Sequence, residues 1–262
     1  MFSPGLHLQS GTQSRDFFGA RGRCCRRVVL AACLAAVAAG TSSATAWAQS
    51  VSTGRCFPLD QTTAPGVAGQ WAGLQRGFVP AIQPVRVEVD GQDAQVSFYS
   101  GPDGQATQLA APAVAGLCVG QVYRLKLSDL KDFPGVELYP TVELVDRLHP
   151  PRGREVEFAI PIILTAEEIG AALDGRLVTK VIYLERPGRA IPVRGTTASR
   201  VRRAAPRENA LALADEAGRP LVIVRLGGRL PDAAVPEPGF FGTGAPVQFF
   251  ANPPAPVETS RR

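Results

Sequence analysis

Val122-Tyr123-Arg124-Leu125-Lys126-Leu127 alternates apolar side chains with cations. A period of two sends Tyr123, Leu125 and Leu127 to one face of a strand and Arg124 and Lys126 to the other. The same period recurs upstream, where Val85, Val87 and Val89 alternate with Arg86 and Glu88. Turn chemistry at Asp90-Gly91-Gln92-Asp93 then leads into Val96 and Phe98, which predicts a hairpin. Downstream, the Pro134-Gly135 turn introduces 136–139 and 141–146, and Val156, Phe158, Ile160 and Ile162 alternate with Glu155 and Glu157. Segments 177–184 and 221–226 are rich in branched apolar residues and read as further strands. Short strands separated by turns make the class mainly β, a single β-sandwich domain with one or two inserted helices.

One helix is marked by Thr165-Ala166-Glu167-Glu168, which has the capping-box spacing, with Leu164 and Ile169 placed as a hydrophobic staple and Gly175 as its end. A weaker helix is expected over 208–216. The domain is expected to span 49–231. From Asp232 onward six prolines and no periodicity predict a disordered tail, 232–262.

Residues 1–48 read as a secretory signal. Arg21, Arg23, Arg26 and Arg27 precede the uncharged run Val28 to Ala39, and Ala46-Trp47-Ala48 supplies a cleavage site. Twelve residues reach about 18 Å as a helix, short of the roughly 30 Å hydrocarbon core, so no stable membrane span is expected after cleavage. Arg26-Arg27 fits an ordinary basic leader and a twin-arginine signal equally well. The expected location is secreted or periplasmic.

Cleavage changes the charge balance. The leader takes four of the five net positive charges with it, so the mature chain stands near +1 and no nucleic-acid partner is expected. Cys24, Cys25 and Cys33 leave as well. The remaining pair, Cys56 and Cys118, predicts one disulfide in an oxidising compartment.

The segment Val119 to Leu127, the turn and strand at 134–140, and Leu164 to Tyr183 together resemble a family of uncharacterised secreted bacterial proteins. That resemblance implies export and brings no activity or site. More loosely, the strand pattern is similar to prealbumin-like and carboxypeptidase-regulatory-like β-sandwiches. Those are usually accessory or adhesion modules, a fold analogy that implies a non-catalytic role.

Catalytic chemistry has little to work with. His149, the single histidine after the leader, stands before Pro150-Pro151 in a loop, and no serine sits in a G-x-S-x-G pattern. No metal centre and no cofactor are expected. Asp90, Asp93, Asp103, Asp129 and Asp132 fall in turns, where Asp satisfies its own backbone. The expectation is a non-catalytic binding or structural module of the envelope, the alternative a small hydrolase using carboxylates alone. The candidate contact for an anionic envelope polymer or protein is the loop carrying Arg194, Arg200, Arg202, Arg203 and Arg207. Phe240-Phe241 and Phe249-Phe250 in the tail have the look of a docking peptide.

Overall fold

The structure, a computed structural model, describes residues 59–77, 80–91, 93–101, 105–188, 201–205, 207–232, 234, 239–242 and 244–250. The leader, Cys56, Asp103, Arg194 and Arg200 lie outside the described residues. In chain order the elements are α1 (Val67–Arg76), β1 (Ile82–Val89), β2 (Gln95–Ser100), β3 (Gln105–Ala110), β4 (Ala113–Cys118), β5 (Val122–Ser128) and β6 (Thr141–Leu144). They continue with β7 (Ile160–Leu164), α2 (Ala166–Leu173), β8 (Val178–Glu185), α3 (Ala210–Ala217), β9 (Gly218–Leu226) and β10 (Val247–Phe249).

The strands form two sheets, one of four strands in the order β10-β4-β1-β7 and one of six in the order β3-β2-β5-β6-β9-β8. This is the expected mainly β, sandwich-like architecture. Its core takes alternate residues from both sheets. Val85, Val87, Leu117, Ile160 and Ile162 come from the first, and Phe98, Leu125, Leu127, Val142 and Val224 from the second. The decisive stretch behaves as read, with Tyr123, Leu125 and Leu127 buried and the residues between them half-exposed.

The hairpin expected between 85–89 and 96–98 is not formed. β1 pairs with β4 and β7, whereas β2 pairs with β3 and β5 in the other sheet. Asp90 to Ala94 is a corner instead of a hairpin turn. Val87 faces Ala113 before the corner and Gln95 faces Ala110 after it, and Ala111 N donates to Ala94 O at 2.9 Å within it. One long ribbon, 82–100 against 105–118, is therefore folded over so that each half enters a different sheet. Alternation fixes which face a side chain takes, but not which strand lies beside it.

Two other expectations change. Strand β7 begins only at Ile160, while Arg154 to Phe158 forms turns and Phe158 is exposed. The tail, expected to lack structure, contributes β10, which pairs antiparallel with β4, Val247 facing Leu117 and Phe249 facing Ala115.

Helix α2 has the capping box read from the sequence. Thr165 Oγ1 accepts from Glu168 N at 3.3 Å, and Thr165 N donates to the Glu168 carboxylate at 3.0 Å. Leu164 and Ile169 are both buried. Lys180 of β8 reaches the same carboxylate at 2.7 Å and fixes the helix to the sheet. The second expected helix is α3, capped by Asn209.

Candidate functional site

The outer face of the six-stranded sheet carries the unusual chemistry. Inward-facing Val142, Leu144, Val222 and Val224 alternate with outward-facing Glu143, Ile223 and Arg225. Helix α1, which is not among the elements expected from the sequence, lies over these residues. Its underside is built of small residues, Ala68, Gly69, Ala72 and Gly73, all buried. Ala68 and Ala72 pack with Val145, Leu211 and Ile223 in a second apolar cluster separate from the sandwich core. Small side chains let the helix backbone come close. A Cβ on Gly69 would stand 3.2 Å from the Cα of Gly120.

That close approach brings a helix end onto a buried charge. Gly66, the N-cap, has no side chain with which to satisfy the first N–H groups of α1. Glu143, fully buried, supplies the acceptor, and Gly69 N donates to its Oε1 at 2.7 Å. Its Oε2 accepts from Arg225 Nη1 at 2.8 Å, and Arg225 Nη2 donates to Thr63 O at 3.1 Å in the chain leading into the helix. The positive end of the helix dipole and the guanidinium together balance the carboxylate. At the other end of α1, Arg76 meets buried Asp146 at 2.7 Å, and Arg219 of β9 meets it at 3.3 Å. Two acids, one on β6 and one just past it, thus clamp both ends of a single helix.

Clamped this way, α1 shows its large side chains to solvent. Val67 is 37 % exposed, Trp71 42 % and Leu74 70 %. They stand at i, i+4 and i+7, one stripe along the helix. An amphipathic helix ordinarily turns such a stripe inward. Here the small-residue face is buried and the apolar stripe is held out. The 4-3 spacing of Val67, Trp71 and Leu74 is visible in the sequence, but Gly66, Gly69 and Gly73 lower helix propensity and hide it.

The arginine loop is partly neutralised. Arg203 makes a two-pronged pair with Glu167 of α2, at 2.9 and 2.6 Å. Arg202 lines a cavity of about 170 Å³ with Glu185, Glu216 and Ala217. This is below the ~300 Å³ of an ordinary ligand pocket, and both acids are exposed. Arg207 is exposed.

The other expected residues are dispersed. His149 lies exposed in its loop, as do Asp90, Asp93, Asp129 and Asp132 in their turns. No cluster of three metal-binding side chains occurs among the described residues, and no described helix is long and apolar enough to cross a membrane. Cys118 is a free thiol in the structure, so the expected disulfide is not seen, and Cys56 is outside the described residues.

The tail returns to the domain through its aromatic residues. Phe241 stacks on Tyr99 at 4.1 Å between ring centres, and Phe240 meets Tyr139 edge-on at 5.5 Å. The Arg124 guanidinium lies 4.2 Å from the Phe240 ring centre, a cation–π contact. Beneath this cluster Tyr139 donates to Glu137 at 2.7 Å, and Lys126 pairs with Glu137 at 2.5 Å. Further on, Tyr123 donates from its hydroxyl to Pro246 O at 3.0 Å, and Phe249 meets buried Phe98 edge-on at 6.0 Å.

No protein-family model matches the chain, and no curated protein or solved structure is significantly similar to it.

Proposed function

We propose that the mature chain is an exported, non-catalytic contact module of the cell envelope, and that it engages a protein partner through the outward stripe of α1. The observation that carries this reading is the exposure of Val67, Trp71 and Leu74 on a helix whose orientation is enforced by buried charges at both ends. Holding such a stripe in water is unfavourable by about 25 cal/mol for every Å² of apolar surface. Contiguous exposed apolar surface, with a tryptophan at its centre, is the usual mark of an interface. The hydrolase alternative finds less support, because Glu143 and Asp146 are both tied to arginines beneath the helix.

The arginine loop enters this reading as a second contact for an anionic partner, with Arg207 exposed, Arg202 beside Glu185 and Glu216, and Arg203 held by Glu167. A photoreactive residue at position 74, in cells exporting the full chain, tests the proposal. One discrete protein adduct from position 74, and none from exposed Arg152, is the expected result. Equal labelling from both positions, or none from 74, contradicts it.

A further inference from the structure

We propose that β3 pairs with the β3 of a second copy of the chain, antiparallel about a two-fold axis at Gln108, so that two six-stranded sheets become one. Each sheet of the domain ends in two edge strands, and a strand edge offers unpaired N–H and C=O groups to any other strand. Three of these four edges are blunted. β7 carries Pro161, and Lys180 Nζ donates to Ile163 O at 2.6 Å. β8 carries Lys180 and Glu185, and its register shifts between Ile182 and Tyr183. β10 has only three residues and follows Pro246 directly. β3 has none of these protections. It holds no charge and no proline, its register against β2 is unbroken from Gln105 to Ala110, and among the described residues it pairs with β2 alone.

The register against β2 fixes which groups are open. Ala111 N donates to Ala94 O, so the pairs that exchange hydrogen bonds along the ribbon are Val96 with Leu109, Phe98 with Thr107 and Ser100 with Gln105. The backbone N–H and C=O groups of Ala106, Gln108 and Ala110 therefore point away from β2, and the side chains of these three residues are exposed. Ala106, Gln108 and Ala110 form a series that reads the same in reverse. In an antiparallel pair Gln108 meets Gln108 of the partner subunit, and Ala106 meets Ala110 of the partner subunit, each exchanging N–H and C=O with the residue opposite. The two central amides can donate to and accept from one another, and the alanines on either side leave them room. A charge at the centre would face its own twin, a repulsion that glutamine avoids. On the other face, half-buried Leu109 already packs on the sandwich core, and pairing sets it beside Thr107 of the partner subunit, which shields both from water. A second copy is therefore the strand that this edge matches at every position.

Sedimentation of the full chain between about 1 µM and 1 mM tests the pairing, and the wild type is expected to pass from monomer to dimer within that range. Gln108→Lys and Gln108→Glu each place like charges opposite one another and should raise the dissociation constant about two- to fivefold. An equal mixture of the two should return it to the wild-type value or below, because lysine then faces glutamate. Gln108→Pro removes the central N–H on the solvent side, where an edge strand tolerates proline, and should leave a folded monomer. A wild type that stays monomeric up to about 1 mM overturns the proposal. So does a dimer that Gln108→Pro leaves intact, or a mixture of the lysine and glutamate variants that pairs no better than either alone. If Gln108→Pro does not fold, the two charged variants and their mixture decide the question by themselves. Leu74→Lys should leave the dimer unchanged, so failure of this pairing and failure of the α1 contact are told apart.

Discussion

Gly69 of α1 and Glu143 of β6 are 74 residues apart in sequence and joined by a 2.7 Å hydrogen bond, so a strand carboxylate caps a helix that has no cap of its own. The same carboxylate pairs with Arg225, which is 6 % exposed. Burying two charges gains little net stability, but leaving one of them without its partner is expensive.

Glu143→Ala therefore costs about 3–5 kcal/mol of unfolding free energy, because it strands the guanidinium and leaves the Gly69 N–H without an acceptor. Replacing both partners, as Glu143→Leu/Arg225→Met, costs less than the single change. Urea unfolding of the three proteins checks this, and a single variant within about 1 kcal/mol of wild type contradicts the clamp.

Gly69→Ala sets two effects against each other. Helix propensity favours alanine by about 1 kcal/mol, while the new Cβ meets the Gly120 backbone, which cannot yield as a side chain would. Overpacking of this kind costs about 1–3 kcal/mol and outweighs the gain in propensity, so the expected outcome is net destabilisation. A rise in thermal stability would show that α1 does not sit this close to the sheet.

In the aromatic clasp, hydrogen bonds from Lys126 and then Tyr139 hold the Glu137 carboxyl below the usual range. A carboxylate whose folded pKa is depressed contributes stability above its unfolded pKa and loses that contribution as pH falls through the folded value. Below about pH 4 the support under Tyr139 and Phe240 should weaken. Lys126, its pKa raised chiefly by the hydrogen bond to Glu137, stays charged throughout. Glu137→Gln should thus narrow the difference in melting temperature between neutral and acidic solution. An unchanged difference would mean the pair does not stabilise the clasp.

A bridge between Cys56 and Cys118 is not seen in the structure, where Cys118 is a free thiol, and for an exported chain it stands as a proposal only. Leu59, three residues after Cys56, packs in the cluster beneath α1, and Gly120, two after Cys118, lies against Gly69. Thiol titration of the denatured, exported protein should find no free cysteine, and two titratable thiols would exclude the bridge.

Much of the fold was legible because alternation and capping are local. Val122 to Leu127 declared its buried face, and Thr165 to Glu168 declared the start of α2. What was not legible depended on distant partners. Asp90 to Asp93 carries turn chemistry whether the chain makes a hairpin or a corner, and only the partners of β1 and β2 separate the two. β10 is three residues long, too short for a period to show. Helix α1 begins at a glycine and is capped by Glu143, far along the chain, so its strongest determinant lies outside any local window. The arginines of the loop were visible, but not Glu167, which takes one of them.

The outward stripe of α1 is tested most directly by Trp71, the single tryptophan after Ala48. Its fluorescence reports the candidate contact itself. Titrating the chain from Gln49 onward with a cell-envelope fraction, the partner source under the proposed function, should shift Trp71 emission to the blue as the ring leaves water, and Leu74→Lys should abolish the shift while leaving the melting temperature unchanged. Emission that stays at its free position, or a shift that Leu74→Lys does not alter, would contradict the assignment of α1 as the contact surface.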